Sequence, residues 1–366
     1  MERIIMKKIL FIFTNTRVAE KIIPVIPLLA HEAELYGIMI GEFSLETPWP
    51  GDVDERQRFI DTYQHYFKDL RTGPGVRAHG ASLNNSLAHW LDELEQMDLV
   101  ILDDNREMPE YQLPMLYERC KALGIRVIGN SHGNQDLNSM LRHLGAKKSF
   151  DSLFVFGDRE QKLLKPMDID AYAAGIPAND KLKDLLHRRG QYMLVITNFL
   201  GNRYSPFMMN FDEKWRDAIL KIAPKGDVVI KQKTRLDDPM LQRNIEYIKN
   251  LLPKAKVISN TDDLDGIVAD AAMVISADST LAFKSIQLGK PTVIINGSGQ
   301  VGNLGEWPYR CDIDGDIEGL LKQQIINDEP MLREQNPRLE FLDKVMTGAS
   351  DFTACEKYVE QIKKFL

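Results

Sequence analysis

Short, unbroken apolar runs recur along this chain, and they limit its fold more than any other feature. Lys8–Thr14, Leu35–Glu42, Asp98–Asp103 (DLVILD), Ile125–Gly129, Ser152–Phe156 (SLFVF), Tyr192–Thr197 (YMLVIT), Asp227–Lys231 (DVVIK), Lys256–Ser259, Met273–Ser276 (MVIS) and Pro291–Asn296 each predict a strand. Most lack the polar–apolar alternation of a half-solvated strand, so they belong to parallel sheets covered on both faces. Helical spacing fills the gaps: Ala19–His31 (broken by Pro24 and Pro27), Leu83–Gln96, Pro114–Ala122 closed by Gly124, Asp212–Ile222, Pro239–Leu252, Leu264–Ala269, Thr280–Leu288 and Thr353–Leu366. Residues 46–60 are polar, carry Pro and Gly, and read as a long loop. The polar stretch Asn179–Gln191 divides two such series, which predicts two Rossmann-like domains over residues 1–185 and 191–350, with a last helical segment over 351–366. A chain of 366 residues can bury two cores.

Composition excludes some classes. A net charge of −7 is a poor match to a general nucleic-acid binder, so no nucleic-acid partner is expected. Three cysteines at wide spacing (Cys120, Cys311, Cys355) form neither a disulfide framework nor a zinc motif, and a reducing cytoplasm fits them. The start, MERIIMKKILFIFT, mimics a weak signal peptide. Its apolar run is too short and no small-residue cleavage site follows, so it reads as a first buried strand. No apolar stretch approaches the roughly 20 residues of a membrane-spanning helix.

In parallel sheets of this kind, ligands bind beyond the carboxyl ends of the strands. Four segments there could carry chemistry. In Ile275–Phe283 a strand ends at Ser276 and a helix starts near Thr280. Asp278, Ser279 and Thr280 are good helix-capping types, and the free amides and helix dipole favour an anion. Gly129–Asp136 (GNSHGNQD) follows a strand; its two glycines permit an unusual backbone, and His132 has the pKa range of a general base. Against it stands the ordinary role of a loop histidine bonded to a turn. Lys231, Lys233 and Arg235 crowd one strand end and could neutralise a phosphate, or simply be a solvated charged loop. Asn296–Gly302 contains a literal G-x-G-x-x-G, but Leu304-Gly-Glu-Trp-Pro308 follows where a dinucleotide motif needs a helix, so the NAD reading is rejected. No metal motif has suitable context, and no metal is expected. No histidine lies beyond His187, so the second domain must bind with other groups.

The order of these segments resembles the glycosyltransferase B fold, and it is similar to the CDP-glycerol glycerophosphotransferases of the teichoic-acid polymerase type and related surface-polysaccharide proteins. Ser131-His132-Gly133 resembles that family's His-Gly pair, and Gly175-Ile-Pro-Ala-Asn-Asp180 its Gly-x-Pro-x-x-Asp segment. Lys231–Thr234, Asp263-Leu264, Asp278-Ser279-Thr280 and Lys290-Pro291 resemble its C-domain motifs, and the whole match spans roughly Ile125–Asn296. Two departures are visible: Gln232 or Lys233 stands where the family has a histidine, and Ser279-Thr280 replaces a double serine.

The resemblance implies an α/β glycosyltransferase B fold, two Rossmann-like, doubly wound domains facing a central cleft, with the C-terminal helix crossing back to the first. It also implies a cofactor-free, metal-independent transferase. A UDP- or CDP-linked donor would lie on the second domain, its diphosphate held at Ser279 and Thr280 with Asp278, Lys231, Lys233 and Arg235. A hydroxyl acceptor, lipid-linked or free, would approach from the first domain, with His132 as its base. Gly133, Asn134, Gly175, Asp180, Asn198 and Asn296 are further cleft candidates. Two rival expectations are a UDP-sugar 2-epimerase or hydrolase on the same fold and a non-catalytic nucleotide-sugar-binding protein. Homodimerisation and peripheral contact with the inner face of a membrane stay open.

Overall fold

The structure is a computed structural model. It describes residues 6–13, 16–39, 52–72, 94–103, 112–131, 150–197, 214, 217–221, 227–232, 245–250, 252–258, 263–277, 279–296, 303–327 and 337–366. The chain forms two compact units. The first runs to Asp180 and takes in Asp343–Leu366; the second spans Lys181–Leu342.

The first unit carries seven strands: β1 Lys7–Phe13, β2 Ala33–Met39, β3 Asp69–Thr72, β4 Leu99–Leu102, β5 Arg126–Asn130, β6 Ser152–Val155 and β7 Asp170–Ala173. All pair in parallel, in the order β3-β2-β1-β4-β5-β6-β7. The unbroken apolar runs are explained by burial on both faces. In β1, Leu10 and Ile12 enter one core while Ile9, Phe11 and Phe13 enter the other; in β4, Val100 and Leu102 are set against Leu99 and Ile101 in the same way. Each such side chain contributes about 1.5–3 kcal/mol when fully buried.

The second unit holds β8 Tyr192–Thr197, β9 Asp227–Gln232, β10 Lys256–Ile258, β11 Ala271–Ser276, β12 Thr292–Ile295 and β13 Arg310–Cys311, again all parallel, in the order β10-β9-β8-β11-β12-β13. Met193, Val195, Ile230, Ile275, Val293 and Ile295 share one of its cores. Among the described residues no helix is long and apolar enough to cross a membrane.

Several local expectations change. Residues 46–60 were expected to be a loop, yet Asp52–Tyr63 is a helix. Its buried residues Arg56, Phe59 and Ile60 fall at i, i+3 and i+4, and the Phe59 ring lies edge-on to Phe13 at 5.2 Å. A narrow apolar stripe in a polar segment is what made it look like a loop. The Ala19–His31 pattern resolves into short pieces, a 3-10 turn at Ile23–Val25 and one helical turn at Ile26–Leu29, as its two prolines require. Asn303–Glu306 forms a single 3-10 turn before Pro308 and not an α-helix. Of the expected Leu83–Gln96 helix only a 3-10 turn at Leu94–Gln96 falls within the described residues.

The last helix, Ala354–Lys363, is built into the first unit. Tyr358, Val359 and Ile362 enter its second core. Asp180 caps it, its carboxylate accepting from the Ala354 and Cys355 amides at 3.1 and 2.7 Å. In the second unit, Asp263 caps Leu264–Ala269 by accepting from the Gly266 amide at 2.8 Å. Asp265 of that helix pairs with Lys284, and with Lys181 at 2.7 Å.

Burial opposes ionisation of Asp265, but the two ammonium groups outweigh it and hold its carboxyl below the ordinary aspartate value. A lowered folded-state pKa contributes stability that is full above the unfolded value, about 3.9, and is lost as pH falls through the folded value. Asp265→Asn is therefore expected to lower stability at pH 7 by on the order of 1 kcal/mol, since both lysines keep some water contact. The gap to wild type should narrow as the pH falls from 7 through the ordinary aspartate range and below it; urea midpoints along that series measure it, and a gap that does not shrink with falling pH refutes the assignment.

Candidate functional site

The sheet of the second unit reverses its direction of growth between β8 and β11, with β9 and β10 on one side and β12 and β13 on the other. In doubly wound sheets that reversal opens a crevice beyond the carboxyl ends of the strands. At this edge Lys231 of β9, Ile196 of β8, Ser276 of β11 and Ile294 of β12 form one row in register. The Ala277 amide extends the row by donating to the Ile196 carbonyl at 2.9 Å. Lys231 is only 6% exposed, so a cation is buried at the same edge.

From this row the chain turns into the Thr280–Gln287 helix. Ser279 is its cap, in extended conformation, and its Oγ accepts from the Leu281 amide at 3.4 Å. That is a long bond, which leaves the first turn weakly satisfied. Ser279 is half-buried and Thr280 exposed, so the amides and hydroxyls of this turn are within reach of a ligand. The helix is fixed from behind. Ala282, Phe283 and Ile286 are buried, and Ser285 Oγ accepts from Thr292 Oγ1 at 2.9 Å. Gly289, at φ +71°, closes the helix. Lys290 donates to the Arg188 carbonyl at 2.9 Å. Asn296 follows β12, and both ends of its amide are engaged, Nδ2 with Asp312 and Oδ1 with Arg310, each at 3.0 Å. Asp278, Lys233, Arg235 and Asn198 lie outside the described residues.

In the first unit the corresponding reversal falls between β1 and β4. Asp103, buried, ends β4, and its amide donates to the Ile12 carbonyl at 3.1 Å. Asn130 and Ser131 end β5. Asn130 Nδ2 donates to the Leu102 carbonyl at 2.7 Å, and its Oδ1 accepts from Tyr358 Oη at 2.7 Å. Burial pushes the Tyr358 phenol well above its usual range, so it stays a donor. Gly129 is a regular strand residue and not an unusual turn; an added Cβ would lie 3.0 Å from the Phe150 ring, so close packing explains the glycine. His132, Gly133 and Asn134 lie outside the described residues.

Gly175 lies at φ +77° in the same unit, and its amide donates to the Phe156 carbonyl at 3.1 Å. Asp103, Asn130, Ser131, Gly175 and Tyr358 line one small cavity there. Sequence reasoning left Tyr358 out altogether. Its position on the apolar face of an amphipathic helix was the only signal for it. Burial pushes the thiols of Cys120 and Cys355 upward, Cys120 to about 12, which makes both poor nucleophiles.

No protein-family model matches this chain, and no curated protein matches it. Solved structures match over nearly its whole length. The S. aureus MnaA–UDP structure shares 14% identity at a TM-score of 0.59, covering 98% of this chain and 97% of that one. The Neisseria meningitidis UDP-GlcNAc 2-epimerase bound to UDP-GlcNAc shares 13% at 0.59, covering 98% and 100%. Phytolacca americana UGT2, complexed with UDP-2-fluoro-glucose and pterostilbene, shares 10% at 0.57, covering 99% of each. At such identities the likeness establishes the fold: two parallel-sheet, Rossmann-like units of the glycosyltransferase B type.

Proposed function

We propose that this chain is a metal-independent, nucleotide-sugar-processing enzyme of the transferase kind. In this reading the nucleotide diphosphate rests on the Thr280–Gln287 helix start, and a hydroxyl acceptor is deprotonated by His132. The observation that supports it most directly is the loosely capped helix start at the reversal point of the second sheet, in register with buried Lys231. Such a start offers amides, hydroxyls and a positive dipole end to phosphate oxygens. The same groups would stabilise charge gathering on a departing nucleotide diphosphate. The donor in this reading is a UDP- or CDP-linked sugar or glycerol; the motif resemblance to CDP-glycerol transferases keeps CDP-glycerol among the compounds to assay.

A second reading, a UDP-sugar 2-epimerase or hydrolase, is favoured by the full-length likeness to proteins named as UDP-GlcNAc 2-epimerases. Turnover separates the two. An epimerase or hydrolase converts UDP-GlcNAc with no acceptor present, and a transferase requires one.

Calorimetry tests the shared anion site. UDP is expected to bind the Ser279→Ala/Thr280→Ala variant about tenfold or more weakly than wild type, because hydrogen bonds to charged groups contribute roughly 1.5–3 kcal/mol each. Equal affinity would remove the helix start from the site.

A further inference from the structure

The Thr280–Gln287 helix is enclosed on nearly every side. Of its 8 residues only Thr280, Leu281 and Lys284 escape burial, and these fall at i, i+1 and i+4, on one face. The open face therefore carries a single cation, in line with the helix start. Helical side chains lean towards the N-terminus, and Thr280 is four residues, about 6 Å, nearer that end. A lysine's four-carbon stem can cover such a rise.

The Lys284 ammonium is already engaged. It pairs with Oδ1 of Asp265, on the Leu264–Ala269 helix, and keeps 22% of its side chain exposed. Asp265 Oδ2 holds a second ammonium, that of Lys181, at 2.7 Å. The cluster thus sets two positive charges against one negative. A brace between the two helices is complete with Lys284 and Asp265 alone. Lys181 is 64% exposed, so its pairing adds little to stability while both lysines are in place. Its presence matters when Lys284 is elsewhere. The Asp265 side chain is only 12% exposed, and a carboxylate so enclosed is costly to leave without a cation. With Lys181 on the other oxygen, Lys284 can depart and strand no charge.

We propose that Lys284 is a reserve ligand of the nucleotide diphosphate: when the anion occupies the helix start, the Lys284 ammonium exchanges Asp265 for a phosphate oxygen, and Asp265 stays paired with Lys181. The assignment rests on the anion-site reading above. Asp265 then competes with the nucleotide for the same cation, which gives the test its sign.

UDP calorimetry on the full chain is the measurement. Lys284→Met keeps most of the stem and loses the charge, and it is expected to weaken UDP binding about fivefold or more, with Lys284→Arg recovering most of the loss. Asp265→Asn removes the competitor, and it is expected to bind UDP as tightly as wild type or about two- to fivefold more tightly. Titrations run well below the melting temperature, so the stability cost of Asp265→Asn does not enter. A pair that only braces the helix predicts the opposite for the second variant, because both changes would then disturb the helix start and weaken binding. Unchanged affinity in Lys284→Met overturns the proposal, and so does weaker binding by Asp265→Asn, which keeps the test open if Lys284→Met fails to fold. Wild type that binds no UDP ends the nucleotide reading and this assignment together. Wild type that binds UDP, with Lys284→Met its equal, ends this assignment alone.

Discussion

Replacing Gly175 with alanine is expected to lower the stability of the protein by about 3 kcal/mol or more. Two independent costs combine. The backbone sits at φ +77°, where an L-residue with a Cβ loses about 1–2 kcal/mol. The new Cβ would also lie 2.1 Å from the Thr347 carbonyl oxygen and 3.0 Å from the Ala354 Cβ. The Thr347 carbonyl cannot easily retreat, because the amide of the same residue is bonded to the Phe156 carbonyl at 2.8 Å, the acceptor that Gly175 itself uses. Forced overpacking of this kind adds roughly 1–3 kcal/mol. Gly124 is the internal control. It has nearly the same φ, +73°, but nothing within 4 Å of an added Cβ. Gly124→Ala should therefore show only the backbone cost. Urea midpoints for the two variants measure the difference, and equal losses would discard the close-contact argument. On this account the glycine in the Gly-x-Pro-x-x-Asp segment is required by the fold around it.

His132→Ala is expected to cut turnover roughly 10²–10⁴-fold, the usual contribution of a positioned general base. UDP affinity should change little, since the nucleotide is assigned to the other unit. The prediction follows from the strand that leads into the residue. Asn130 is locked to Leu102 and Tyr358, and the Ser131 amide donates to the Phe154 carbonyl at 2.9 Å, so the chain is held up to the residue before His132. Single-turnover rates with a UDP-linked donor and a hydroxyl acceptor, alongside UDP calorimetry, make the measurement. Full activity in the variant removes His132 from the chemistry and shifts attention to other groups at the same sheet edge.

Central strands were readable because two-sided burial leaves a continuous apolar run, as in DLVILD and YMLVIT. Of the four edge strands among the described residues, β10 was predicted as Lys256–Ser259 and the other three were not. β3 (DLRT) is half exposed, β7 (DAYA) buries one of four residues fully, and β13 is two residues long. Their pairing depends on a neighbour already in place, which no local pattern records. The same division runs through the candidate site. Ser279 and Thr280 stood out because capping chemistry is local to three residues. The Asn130–Tyr358 bond joins residues 228 apart, and Asp180 caps a helix 174 residues further on. Neither link leaves a trace in local spacing. Lys231 was legible as a cation at a strand end, though not as a buried one.

The discontinuity of the first unit has a consequence for how the protein comes into being. A ribosome finishes β1 to β7 first, but Tyr358, Val359 and Ile362, which fill one of the two cores on that sheet, are made only after the whole of the second unit. Until they arrive, the Asn130 side chain lacks its phenol partner and the apolar surface beneath Phe154 is open to water. The second unit is complete in sequence by then. Of the two units, the one whose strands are translated first is therefore the one that matures last, and it is the nascent chain with an open first unit that most needs protection from aggregation.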